Sequence, residues 1–120
     1  MQPIDLEQKF SLFDEPWRQK TVAKPNGQEV KLVKILGLFP WHRHLDVDEM
    51  FLVWRGKFRV EFRDGIVELG AGQMIVVPRG VEHRTASDDG AEVIVFEPEG
   101  VVNTGDAPAS SFTATCNAGI

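Results

Sequence analysis

Apolar positions recur along this chain with two different periods. Over the first dozen residues Leu6, Phe10 and Phe13 fall on one face of a helix. Asp5 precedes them, with Gln8 three positions later, which is a capping-box arrangement, and Pro16 ends the segment. From residue 17 the period becomes two. Phe58, Val60 and Phe62 alternate with Lys57, Arg59, Glu61 and Arg63, so one face meets a core and the other meets water. Turn chemistry separates such runs. Asn26-Gly27 predicts a hairpin between residues 19–23 and 29–35, and Asp64-Gly65 predicts a second one leading into 66–69. Gly70-Ala71-Gly72 and Asp88-Asp89-Gly90 read as further turns. Pro78 stops the short run 74–77, and residues 92–97 form a last strand. Short strands with a turn signal in each gap predict an all-β sandwich or barrel. Residues 50–54 and 74–77 are apolar at consecutive positions. Such strands are covered on both faces, one by the interior and one by a second sheet or a partner subunit.

Composition narrows the class. At 120 residues the chain is long enough for one domain with a real core. The pattern divides it into an N-terminal helix and arm (1–16), a barrel (17–99) and an extended tail rich in small and polar residues (100–120). The net charge of −5 lacks the basic footprint that nucleic-acid binding needs. No apolar run approaches the roughly 20 residues of a membrane span. The polar start MQPIDLEQKF carries no basic-then-apolar leader, which predicts a cytoplasmic protein. The single cysteine, Cys116, has no partner for an internal disulfide and reads as inert.

The chemistry gathers in WHRHLDVDEMFLVWRG, residues 41–56. On an extended segment residues i and i+2 point the same way, so His42 and His44 project to one side and can grip one ion. Glu49 opens the next strand, within reach of the same ion. The third and last histidine, His83, follows a strand-to-loop passage punctuated by Gly72, Pro78 and Gly80. Taken singly, each residue has a plainer reading, as an exposed strand histidine, a solvated strand start or a loop histidine.

Taken jointly, they resemble the two motifs of a small single-domain cupin. His42-x-His44, four residues, Glu49, six residues and Gly56 matches the first motif. Gly72, five residues, Pro78-x-Gly80, two residues and His83 matches the second. Gly37 stands one residue closer to His42 than the usual leading glycine, and Ser87 replaces a common asparagine. The resemblance implies a double-stranded β-helix, a jelly-roll-like barrel, behind the short N-terminal helix. It also implies a metal site on His42, His44, Glu49 and His83. Three imidazoles and one carboxylate suit a divalent first-row ion (Mn, Fe, Co, Ni or Zn). The net +1 charge left at such a site favours an anionic or chelating oxygen ligand.

The remaining inventory restricts mechanism and leaves the catalytic residues unassigned. With every histidine on the metal, none is left as a free general base or for nucleophilic catalysis. The chain has no tyrosine. That disfavours the histidine–tyrosine chemistry of sugar epimerase cupins and excludes the cysteine–tyrosine crosslink of thiol dioxygenases. A proton acceptor would be metal-bound hydroxide, a free carboxylate or Glu49 itself. Arg59, Arg79 and Arg84 could meet an anion near the metal, although ion-paired surface roles are the plainer reading. Three function classes follow. One is a metal enzyme on a small oxygenated metabolite, whether dioxygenase-like or of the type labelled mannose-6-phosphate isomerase-like. The others are a non-catalytic small-molecule sensor or carrier, and a metal-stabilised structural barrel. The apolar outward positions Met50, Leu52 and Trp54 predict a homodimer.

Overall fold

The computed structural model describes residues 1–114 and 118–120. The expectation for Cys116 lies outside the described residues. The fold is all-β, a double-stranded β-helix with one small helix. In chain order the elements are α1 (Leu6–Phe10), β1 (Lys20–Ala23), β2 (Gln28–Leu38), β3 (Glu49–Gly56), β4 (Phe58–Phe62), β5 (Gly65–Leu69), β6 (Met74–Val77), β7 (His83–Pro98) and β8 (Ala118–Gly119). No helix among the described residues is long and apolar enough to cross a membrane.

The 16-residue β7 ties the molecule together. It pairs with β2 along most of its length. Its first residues also pair with β4, and residues 91–96 pair with β3. β6 extends the sheet beyond β3, and β5 extends it beyond β4. β2 and β7 therefore run through both halves of the barrel. The expected turn at Asp88-Asp89-Gly90 does not reverse the chain. Ile35 pairs with Ala91 while Gly37 pairs with Ser87, so β7 carries extra residues there as a bulge. The Ser87 hydroxyl accepts from Gly90 N at 3.1 Å and donates to Lys57 O at 2.6 Å, which pins the bend.

Both expected hairpins form. Asn26 and Gly27 both take positive φ (52° and 75°), the backbone that matches strand twist in a tight connection. β4 and β5 join through Arg63-Asp64, one residue earlier than the turn signal, with Phe62 opposite Gly65, the first residue of β5.

Two cores result. Inside the barrel, Val33, Ile35, Phe51, Val53, Phe58, Val60, Val93 and Val95 pack together. Outside, Phe10 and Phe13 from the N-terminal arm cover Leu32 and Ile94, with Leu6 and Leu52 alongside. The Phe10 ring also stacks on Trp54 at 6.5 Å. Much of the outward face expected to need a partner is thus covered by the chain's own N-terminus. The helix is shorter than its signals imply, ending at Phe10 rather than near Pro16. Asp5 does cap it, accepting from Gln8 N at 3.1 Å.

Past Gly100 the chain was expected to be an extended tail. Its described residues instead turn back onto the barrel. Arg18 donates to the carbonyls of Ser111 (2.8 Å) and Thr113 (3.2 Å). Asn103 donates to Phe112 O and accepts from Ala114 N, each at 2.8 Å. β8 lies parallel to β1. A composition rich in small residues does not prevent packing when side chains such as Asn103 satisfy the turning backbone.

Candidate metal centre

The stretch from Phe39 to Asp48 is not a strand of its own. His42 makes one bridge to His83, exchanging N–H···O bonds of 2.9 and 2.8 Å. Gly80 N donates to His44 O at 2.8 Å. Neighbouring segments therefore hold His42 and His44 extended, and the i, i+2 spacing still turns both rings the same way. Glu49 is the first residue of β3 and His83 the first of β7. The four residues come from three separate stretches of chain and meet at one end of the barrel.

One ligating atom from each of His42, His44, Glu49 and His83 can be chosen so that all four lie within 4.8 Å of one another. All four side chains are buried, at 3%, 7%, 3% and 1% exposure. His42 Nδ1 donates to Pro40 O at 2.8 Å, and His83 Nδ1 donates to Val81 O at 2.9 Å. Those bonds fix the rings and leave each Nε2 as the free lone pair. Glu49 Oε1 sits 3.4 Å from His44 Nε2 and 3.5 Å from His83 Nε2. None of these three buried atoms has a hydrogen-bond partner. A buried polar atom without a partner is costly, and three converging on one point suit a cation.

The electrostatics agree with the donor set. Burial lowers His42 to about 4, and the adjacent His83 adds to the effect. It is neutral at pH 7, the form a metal requires. Burial alone would push Glu49 up. The imidazoles of His44 and His83 and the carboxyl of Glu97 outweigh it and hold Glu49 below the usual carboxylate range.

Beside the ligands lies a cavity of about 20 Å³, lined by His42, Glu49, Trp17, Gln19, Phe39, Phe51 and Asn103 among others. Trp17 adopts φ 70°, rare for a bulky residue, with its N–H on Lys34 O. Its ring packs on Phe39 at 4.9 Å, and Phe112 packs edge-on against both. Phe39 in turn meets the His42 ring at 5.4 Å. The returning C-terminal segment closes this side. Asp106 accepts from Arg43 N and Nε at 2.9 Å each, and Asp106 N donates to Arg43 O. Gly105 lies so close that a Cβ there would run into the Arg43 carbonyl and come within 3.1 Å of the His42 ring.

The three arginines considered as anion contacts are engaged elsewhere. Arg59 and Arg84 flank Glu61 at 2.7 and 2.8 Å, and Arg79 pairs with Asp48 at 3.3 Å. Two other charged residues enter the site region unannounced by sequence. Glu97 is 1% exposed, Lys31 is fully buried, and Lys31 Nζ bonds Glu97 Oε1 at 2.7 Å. Burial, together with the adjacent Glu49, raises Glu97 to about 9. The signal available was parity alone: Glu97 shares a face with Val93 and Val95, and Lys31 with Val33 and Ile35.

Comparison with known proteins identifies the domain. A cupin domain model matches residues 32–97. A cupin-2 domain protein of Shewanella frigidimarina is 41% identical, with a TM-score of 0.79, over 80% of this chain and 94% of that one. Protein NMB1881 of Neisseria meningitidis is 31% identical, with a TM-score of 0.75, over 82% of this chain and 100% of that one. The protein YdbB of Bacillus subtilis is 34% identical over 68 residues, which is 56% of this chain and 60% of that protein. With both motifs in place, the barrel closed around them and a family model covering more than half its length, the chain belongs to the cupin domain family.

Proposed function

We propose that the chain holds one divalent first-row transition metal on His42, His44, Glu49 and His83 and uses it to bind a small, anionic, oxygenated metabolite. The observation that carries this reading is the set of unpartnered buried atoms, His44 Nε2, Glu49 Oε1 and His83 Nε2, converging from separate segments. Each would cost about 1–3 kcal/mol if left unsatisfied, and a cation relieves all of them together. A bound ion supplies Lewis acidity and a template for oxygen ligands. The protein supplies fixed rings, through the Nδ1 bonds of His42 and His83, and an aromatic wall of Trp17, Phe39 and Phe51 beside them.

The anionic preference rests on charge. A 2+ ion with one carboxylate keeps a net positive charge, while Arg59, Arg79 and Arg84 are occupied by carboxylates of their own. The ion is then the cation a ligand meets, which favours a carboxylate, an enediol or a hydroxy-acid chelating through adjacent oxygens. A sugar-phosphate isomerase role fits less well, because a phosphate would need a second cationic contact and proton transfer would need a free base. A second reading, a metal-stabilised barrel or a carrier without turnover, is favoured by one observation. The 20 Å³ cavity has room for about one water and no more.

Metal analysis of protein purified without added metal, beside the His83→Ala variant, tests the reading. Wild type is expected to hold one equivalent of ion. A hundredfold excess of ion over Kd should stabilise it by about 2.7 kcal/mol. His83→Ala should fold yet lose the ion. Full metal retention in that variant would sink the assignment, and unfolding of the variant would favour the structural role.

A further inference from the structure

Val33 and Ile35 of β2 and Val93 and Val95 of β7 form apolar inner rows leading toward the metal site. There Lys31 and Glu97 interrupt the rows. Both are buried, and Lys31 Nζ lies 2.7 Å from Glu97 Oε1. Lys31 also reaches Glu29 at 3.2 Å, and Glu29 reaches the exposed Lys24 at 3.8 Å. A buried lysine–carboxyl pair is a poor way to gain stability. Apolar residues of similar volume usually serve a core as well or better. The pair therefore calls for a different account.

The sheet register supplies it. β3 and β7 run antiparallel with Met50 opposite Phe96 and Phe51 opposite Val95. Continued by one residue, that register sets Glu49 across from Glu97 on the inner face, where directly opposed side chains meet. Both carboxyl groups are buried there, and Glu97 Oε2 has no hydrogen-bond partner. Glu97 is not one of the four residues whose ligating atoms cluster. One of its oxygens is tied to Lys31, and its carboxyl meets the Glu49 carboxylate. Glu49 Oε1 meanwhile faces His44 and His83.

We propose that Glu97, anchored by Lys31, is a positioning residue that holds the Glu49 carboxylate in its metal-facing orientation. Glu49 has rotatable bonds that a carboxylate at the head of a strand would otherwise use. The Lys31–Glu97 pair restrains it from the adjacent strand, as hydrogen-bonded outer groups orient ligands at metal sites generally. The inference rests on the metal-binding reading given above.

Cobalt(II) titration, followed by its visible absorption spectrum, tests it on the full chain. Wild type should bind Co(II), and failure to do so overturns the metal reading and this inference with it. Glu97→Ala should bind about 10- to 100-fold more weakly, with an altered spectrum. Glu97→Gln keeps the length and shape of the side chain and an acceptor for Lys31, and should restore both affinity and spectrum. The double variant Lys31→Met/Glu97→Met removes both members of the pair and leaves Glu29 its ion pair with Lys24. It should fold at least as stably as wild type and still show the affinity loss. Wild-type affinity and spectrum in Glu97→Ala or in the double variant overturns the proposal. So does a folded Glu97→Gln that binds as weakly as Glu97→Ala.

Discussion

His42 carries the clearest pH signature of any single residue. Its folded value of about 4 lies below the ordinary 6.5, because burial and His83 oppose a second charge. A lowered folded value means the unfolded chain takes up the proton first. Its contribution is intact above about pH 6.5 and is lost as pH falls toward 4. The metal-free protein should therefore lose about 3 kcal/mol across that window from this residue. Urea unfolding at pH 7 and pH 4.5 checks it, and His42→Gln should flatten the slope. The same residue was legible from sequence, since His42, His44, Glu49 and His83 stand at motif offsets. Lys31 and Glu97 were not. Lys31 lies in KLVK, where Leu32 faces one core and Val33 the other, so parity cannot say which side is wet. Glu97 precedes Pro98, Glu99 and Gly100 and looks like a solvated strand end.

Among the elements, strands defined by alternation or by a two-residue turn were readable, because those signals are local. β4, β5 and the β1–β2 hairpin all formed. The length of β7 was not readable. Asp88-Asp89-Gly90 has turn chemistry, and only pairing with β2 makes it a bulge inside a continuing strand. The segment after Gly100 was misjudged for a related reason. Its anchors are long-range bonds from Arg18 and Arg43, which local composition does not reveal. That segment has a weak point at Gly105, which takes φ 53° against the Arg43 carbonyl. Gly105→Ala should unseat it at a cost of about 1–3 kcal/mol. The expected signature is lower thermal stability together with faster removal of bound ion by a chelator. Wild-type values for both would mean that the segment does not close the site.

For the molecule as a whole, the open question of assembly narrows to one face. Leu52 and Trp54 are met by the N-terminal arm, but Met74 and Val76 on β6 remain 53% and 51% exposed. Met50 lies beside Val76 in the register, and among the described residues β6 pairs only with β3. An apolar edge of this kind is a site for self-association. Light scattering or sedimentation should give a homodimer, and Val76→Lys should shift it toward monomer. A wild-type monomer at high concentration would remove the expectation. The returning C-terminal segment has a further consequence, for biogenesis. Residues 101–114 emerge from the ribosome after all four metal-site residues and the whole of β7. Until that segment folds back, this end of the barrel stands open to whatever ion surrounds it. Once the segment settles over His42, exchange must wait for it to lift. An ion held as proposed would then record where the chain folded, rather than which metal it binds most tightly.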